Sequence, residues 1–156
     1  MKIYLAPLEG ITNYVYRKAL FSCFDGFDKY FIPFISPTQN LAFTSRDWAA
    51  IAPENNIGVP AVPQLLAKDA SLFLWAAQAL CDMGYPEVNL NLGCPSGTVT
   101  AKGKGSGLLA DVPALERLLD GIFEKPPIPV SIKTRIGYAR VEEWDRLLDV
   151  FARYPI

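Results

Sequence analysis

The stretch Asn89-Leu90-Asn91-Leu92-Gly93-Cys94-Pro95-Ser96 alternates polar and apolar residues and then stops. Period-two alternation reads as a strand, and proline, which has no ladder donor to give, ends it. The break leaves one thiol, Cys94, at the carboxyl end of the strand, aimed out of the sheet rather than into a core. Next comes Lys102-Gly103-Lys104-Gly105-Ser106-Gly107-Leu108-Leu109, whose glycines predict a flexible connection. In a barrel of alternating strands and helices, chemistry is done at the carboxyl ends of the strands. Cys94 is therefore a candidate reactive group.

Outward from that strand the chain keeps alternating. Strands are expected at Ile3 to Ala6, Lys29 to Ile35, Ala61 to Leu66, Glu87 to Leu92 and Val130 to Thr134. Helices are expected at Thr12 to Phe24 with Thr12 as N-cap, Ser45 to Ile51, Asp69 to Met83 stopped by Gly84, Val112 to Phe123 capped by Asp111, and Val141 to Tyr154. Five strand-helix units imply a parallel sheet. No G-x-G-x-x-G follows the first strand, which weighs against a dinucleotide-binding doubly wound fold. The expected class is α/β, a parallel (β/α) TIM-type barrel in part, about five of eight units. Eight units need about 250 residues, and 156 residues make about 60% of that. The chain reaches Ile156 where a sixth strand is expected to start.

Composition narrows the chemistry. The chain is 51% hydrophobic and 20% charged with net charge -1, as expected of a globular domain with a sizeable core. The total charge does not announce nucleic acid, although a local basic loop can exist on a neutral protein. No segment has the length of a signal peptide or a membrane span, so cytoplasm is the expected location. With no histidine, there is no Cys-His or Ser-His dyad and no imidazole metal ligand. The three cysteines, Cys23, Cys81 and Cys94, lack C-x-x-C spacing, and no metal site is expected. Cys23 and Cys81 fall in apolar helical stretches and are expected to be small buried hydrophobes.

Five other features carry possible chemistry. Pro7 and Gly10 in Ala6-Pro7-Leu8-Glu9-Gly10-Ile11-Thr12 shape a tight turn, either a plain connection or one whose backbone approaches a planar ligand. Gln64 interrupts an apolar strand, and its amide needs a partner in a neighbouring loop or on a heteroaromatic ligand. Lys133 and Arg135 share one face of the fifth strand, where an anion or polar ligand would justify two cations better than a solvated end. Asn91 offers a donor and an acceptor suited to a nucleobase or isoalloxazine edge. Lys102 and Lys104 lie in the glycine loop, which is either a soluble connection or a gate over an anionic substrate.

As a set, these segments resemble the tRNA-dihydrouridine synthases. The resemblance rests on Ala6 to Thr12, Gln64-Leu65, Asn89-x-Asn91-x-Gly93-Cys94-Pro95, Gly105-Ser106-Gly107-x-Leu109 and Lys133-Thr134-Arg135-Ile136-Gly137, in the family's order. It implies an FMN enzyme on a TIM-type barrel that reduces the 5,6 double bond of uridines in tRNA with NADPH. It makes Cys94 the general acid. It places Pro7, Leu8, Glu9, Gln64 and Lys133 against FMN, and Asn91, Arg135, Lys102 and Lys104 toward the tRNA. Three positions depart from the family pattern: Leu8 where methionine is common, Ala67 where glycine is frequent, and Pro63 before the glutamine. Residues 1–156 would be the amino-terminal part of the catalytic barrel, with the flavin-phosphate loops and a helical tRNA-binding domain expected beyond Ile156. Two alternatives stay open. One is an FMN barrel acting on a free pyrimidine, in the manner of dihydroorotate dehydrogenase. The other is a chain inert by itself, holding flavin weakly and self-associating through uncovered barrel edges.

Overall fold

In the computed structural model, which describes residues 1–156, the strands lie side by side in chain order. They are β1 (Tyr4–Leu5), β2 (Lys29–Ile35), β3 (Ala61–Leu65), β4 (Val88–Leu92) and β5 (Val130–Thr134), and every neighbouring pair is parallel. A doubly wound sheet reverses its order at a switch point. This sheet does not reverse, so the winding is that of a barrel. The chain is a five-strand half-barrel of the TIM type, with helices alternating along it: α1 (Tyr14–Cys23), α2 (Ser45–Ile51), α3 (Ala70–Asp82), α4 (Gly97–Thr100), α5 (Val112–Phe123) and α6 (Trp144–Phe151).

The two faces of the sheet divide the work. On β4, Val88, Leu90 and Leu92 are fully buried and join a core of 28 buried residues, with Phe73, Ala76, Ala77 and Leu80 of α3 and Leu115, Leu118, Leu119 and Ile122 of α5. The helical residues recur three or four apart, which keeps them on one stripe. Burying each large aliphatic side chain contributes about 1.5–3 kcal/mol. The helix starts are fixed by side chains: Asp69 accepts from the Leu72 amide at 2.9 Å and Asp111 from Ala114 at 3.1 Å. The intervening residues Glu87, Asn89 and Asn91 face the concave side.

The structure corrects several expectations at the edges of elements. Asn13, not Thr12, caps α1, accepting from the Tyr16 amide at 3.0 Å. Thr12 instead closes the preceding turn, accepting from the Leu8 amide at 2.9 Å and donating to the Leu8 carbonyl at 3.2 Å. Cys23 is exposed rather than buried, because the only buried residue of α1 is Arg17 and the cysteine lies on its open flank. Cys81 is half-buried against the core. The last expected helix breaks in two: a single tight turn at Val141–Glu143 precedes α6, because Glu143 accepts backbone amides of Tyr138 and Arg140 at 2.6 and 3.2 Å.

The glycine-rich stretch after β4 is likewise folded rather than irregular. It forms α4 and then a tight helical turn, Gly105–Ala110, in which Gly105, Ser106, Leu108 and Leu109 are buried. No helix of the chain is long and apolar enough to cross a membrane.

Candidate functional site

Cys94 follows directly on β4, and the peptide groups on both sides of it are held. Asn91 Oδ1 accepts the Gly93 amide at 3.0 Å and the Cys94 amide at 2.9 Å, an Asx-type turn that bends the chain out of the strand. The Cys94 carbonyl accepts from the Ser106 amide and the Ser106 hydroxyl, both at 3.0 Å. That second clamp needs a close approach by Gly105, which sits at φ +57°. A Cβ there would meet the Cys94 carbonyl oxygen at 2.7 Å. Glycine is the residue that allows both the conformation and the distance.

The thiol itself is half-buried and lines a cavity of about 410 Å³ together with Glu9, Lys102 and Lys104. Burial pushes the Lys104 ammonium below its ordinary pKa, and the nearby positive charges of Lys102 and Lys68 push it further the same way. Three lysines raising one another's cost is an arrangement that an anion beside them would relieve. Lys102 is exposed and Lys104 half-buried.

On the concave face, Gln64 is completely buried and finds its protein partners in the next strand rather than in a loop. Its Nε2 donates to Asn89 Oδ1 at 2.7 Å, and its Oε1 accepts from Asn91 Nδ2 at 2.8 Å. Asn89 Nδ2 in turn donates to Ser131 Oγ at 2.9 Å, and Ser131 donates to Glu87 Oε1 at 2.6 Å. Glu87 Oε2 is paired with the Lys29 ammonium. The strand register lines these up, with Gln64 beside Asn89, Asn89 beside Ser131, and Asn91 beside Lys133. Sequence reasoning singled out Gln64 and Asn91 but missed Asn89, Ser131, Glu87 and Lys29. The signal was there in the polar period of Glu87, Asn89 and Asn91 across an apolar strand.

Of the remaining candidates, three line one of two hollows. Pro7 and Lys133 line a second cavity of about 400 Å³ on the concave face, with Asn89 and Ser131 in its wall. Lys133 is exposed and belongs to none of the ion pairs. Glu9 is held by Arg46 at 3.2 Å beside the cysteine cavity. Leu8 and Arg135 line neither hollow and are exposed, although Arg135 runs alongside Gly93, with its Cγ 3.7 Å from where a Cβ would stand. Gln64 and Asn91 line neither hollow; they are buried, bond each other, and Asn91 accepts from the Cys94 amide. No three His, Cys, Asp or Glu side chains are grouped to hold a metal ion.

One buried residue escaped the sequence reading altogether. Arg17 is fully buried with no carboxylate partner. It donates to the Thr12 carbonyl at 2.7 Å, the Ala50 carbonyl at 2.9 Å and Asn56 Oδ1 at 2.7 Å, tying the turn after β1 to α2. Its Nε has no partner, and burial lowers its pKa to about 10.

The family model described as dihydrouridine synthase matches residues 4–153. A probable tRNA-dihydrouridine synthase of Staphylococcus epidermidis is 31% identical over 159 aligned residues, covering 94% of this chain and 45% of that protein. A tRNA-dihydrouridine(16) synthase of Pseudomonas putida is 32% identical over 146 residues, covering 88% of this chain and 45% of its own length. A probable tRNA-dihydrouridine synthase of Staphylococcus aureus is 29% identical over 153 residues. The chain thus spans 45% of the length of these relatives.

Proposed function

The chain belongs to the dihydrouridine synthase family, and from that premise we propose that it is the amino-terminal half of the catalytic barrel of a cytoplasmic tRNA-dihydrouridine synthase. The reaction is reduction of the 5,6 double bond of a uridine in tRNA, with NADPH as electron source and FMN as the bound carrier. The observation that carries this reading is Cys94, a thiol at the carboxyl end of β4 with both adjoining peptide groups clamped, opening on a cavity rimmed by lysines.

The residues present fit a flavin ring. Lys133 offers an unpaired ammonium and Pro7 a turn surface on the concave face, Glu9 lines the cysteine cavity, and Leu8 is an exposed apolar side chain on the same turn as Pro7. Gln64 lines neither hollow, and its assignment to the flavin rests on the resemblance together with the second N–H that Nε2 keeps beyond its bond to Asn89. A cavity of about 400 Å³ is also in the usual range for a small-molecule site. FMN, when bound, supplies the hydride that adds to carbon 6 of the uracil. The Cys94 thiol gives its proton to carbon 5, quenching the enolate charge that builds there. Asn91 holds the thiol's backbone and lies at the uracil side. Arg135, Lys102 and Lys104 meet the tRNA, where the lysines neutralise backbone phosphates.

The test is Cys94→Ala in the full-length protein, assayed for dihydrouridine in unmodified tRNA. A general acid contributes about 10²–10⁴-fold, so turnover falls by at least about a hundredfold while bound flavin keeps its visible spectrum. Full activity in that variant would remove Cys94 from the chemistry. Activity on dihydroorotate instead of tRNA would move the chain to the free-pyrimidine alternative.

A further inference from the structure

The hydrogen bonds across the half-barrel form one continuous chain that runs from its amino end to Cys94. At the bottom is Glu87, ion-paired with Lys29. It accepts from Ser131, which accepts from Asn89, which accepts from Gln64, which accepts from Asn91, which accepts from the Gly93 and Cys94 amides. Every link points the same way.

That uniform direction has a chemical cause. A carboxylate can only accept, so the Ser131 hydroxyl must donate downward and can only accept from above. Asn89 must then turn its Nδ2 to Ser131 and its Oδ1 to Gln64. The same logic sends Gln64 Nε2 down and its Oε1 up, and Asn91 Nδ2 down and its Oδ1 up. At the top the two backbone amides can only donate, which is what Asn91 Oδ1 accepts. Both ends therefore demand the same orientation of all three carboxamides, and aligned links polarise one another. Gln64, Asn89 and Asn91 are all buried, so an amide turned the wrong way would leave unpaired groups without water to rescue them.

We propose that Glu87 and Ser131, at the far end of β4 and β5 from the thiol, are positioning residues for Cys94. They fix which way the Asn89, Gln64 and Asn91 carboxamides face, and through Asn91 they hold the Gly93-Cys94 turn closed. Their relevance to catalysis rests on the reading of Cys94 as the acid. The structural coupling itself does not.

Ser131→Ala deletes one hydroxyl and cuts the chain just above its anchor; Glu87→Ala removes the anchor itself. The measurement is residue-resolved amide hydrogen exchange in the full-length protein, with side-chain amide resonances recorded for Asn89, Gln64 and Asn91. Loss of one buried hydrogen bond's net worth corresponds to exchange about two- to tenfold faster at Gly93 and Cys94. Leu90 and Leu92, on the same strand, serve as controls and keep their rates. Ser131→Thr, which restores a hydroxyl, returns the Gly93 and Cys94 rates to those of the parent. The proposal is overturned if Gly93 and Cys94 exchange unchanged in both alanine variants. It is equally overturned if Leu90 and Leu92 accelerate in step with them, or if Ser131→Thr rescues nothing. If Ser131→Ala does not fold, Glu87→Ala alone decides. Because hydrogen exchange does not read tRNA reduction, an inactive Cys94 assignment and a broken coupling would be told apart by which of the two assays fails.

Discussion

Gly105→Ala is the sharpest single test of how the thiol loop is held. The added Cβ would stand 2.7 Å from the Cys94 carbonyl oxygen, 2.9 Å from Val99 Cγ1 and 3.1 Å from Cys94 Cβ. All three are inside normal contact, and the nearest is a backbone atom that cannot swing aside. The residue also sits at φ +57°, which costs alanine about 1–2 kcal/mol relative to glycine. Forcing a methyl into a filled space adds about 1–3 kcal/mol. The sum is a loss of about 2–5 kcal/mol unless the turn lifts off Cys94. Lifting would break the two Ser106 bonds to the Cys94 carbonyl and uncover the thiol.

Urea unfolding measures the first effect. The rate of Cys94 alkylation measures the second, in a Cys23→Ser, Cys81→Ser background that leaves one thiol. The expected result is a lower unfolding midpoint together with faster alkylation. Gly97→Ala is the internal control: it lies at the start of α4 with nothing within 4 Å of its would-be Cβ. It should be neutral or stabilising by up to about 1 kcal/mol. A Gly105→Ala protein with parental stability and parental alkylation would show that the clamp described around Cys94 is wrong.

Two further outcomes follow from buried polar groups. Arg17→Lys keeps the charge but not the fork, so one ammonium cannot serve the Thr12 and Ala50 carbonyls and Asn56 Oδ1 together; denaturant unfolding should show a loss of about 2–4 kcal/mol, and a loss below the measurement error would mean that the three contacts are not held jointly. Tyr154 has its pKa raised to about 12, first by burial and then by its hydrogen bond and charge repulsion with Asp120. A raised folded-state pKa means that the stabilisation is complete below pH 10, the ordinary tyrosine value, and is lost as pH climbs to about 12. The stability difference between the parent and Tyr154→Phe should therefore shrink across that interval, and a difference flat with pH would refute the shift.

Much of the architecture was legible because strands and helices here carry strong periods. The alternation Val88-Asn89-Leu90-Asn91-Leu92 and the stripe Leu115, Leu118, Leu119, Ile122 each have one reading. Thr12 and Asn13 were not separable, since both are good caps and the choice depends on the Leu8 backbone that Thr12 meets in three dimensions. Cys23 misled because an apolar helix is buried only where something packs on it. At the site, Gly93-Cys94-Pro95 announced the thiol. Register between strands, in contrast, is not written in either strand alone. For that reason Gln64 was visible as a buried amide but its partner Asn89 was not. The order hidden in the glycine-rich segment, with Ser106 on the Cys94 carbonyl, had no periodic signature at all.

The alternation on β4 also separates two kinds of heritable change. Val88, Leu90 and Leu92 answer to the helices, and Glu87, Asn89 and Asn91 answer to the concave interior, with no position serving both masters. Substitutions can therefore accumulate on one set while the other stays constant. A lineage or an engineer changing the odd-numbered positions keeps the hydrophobic half of the strand in place, but must replace the linked carboxamides together so that no buried amide is left unpaired.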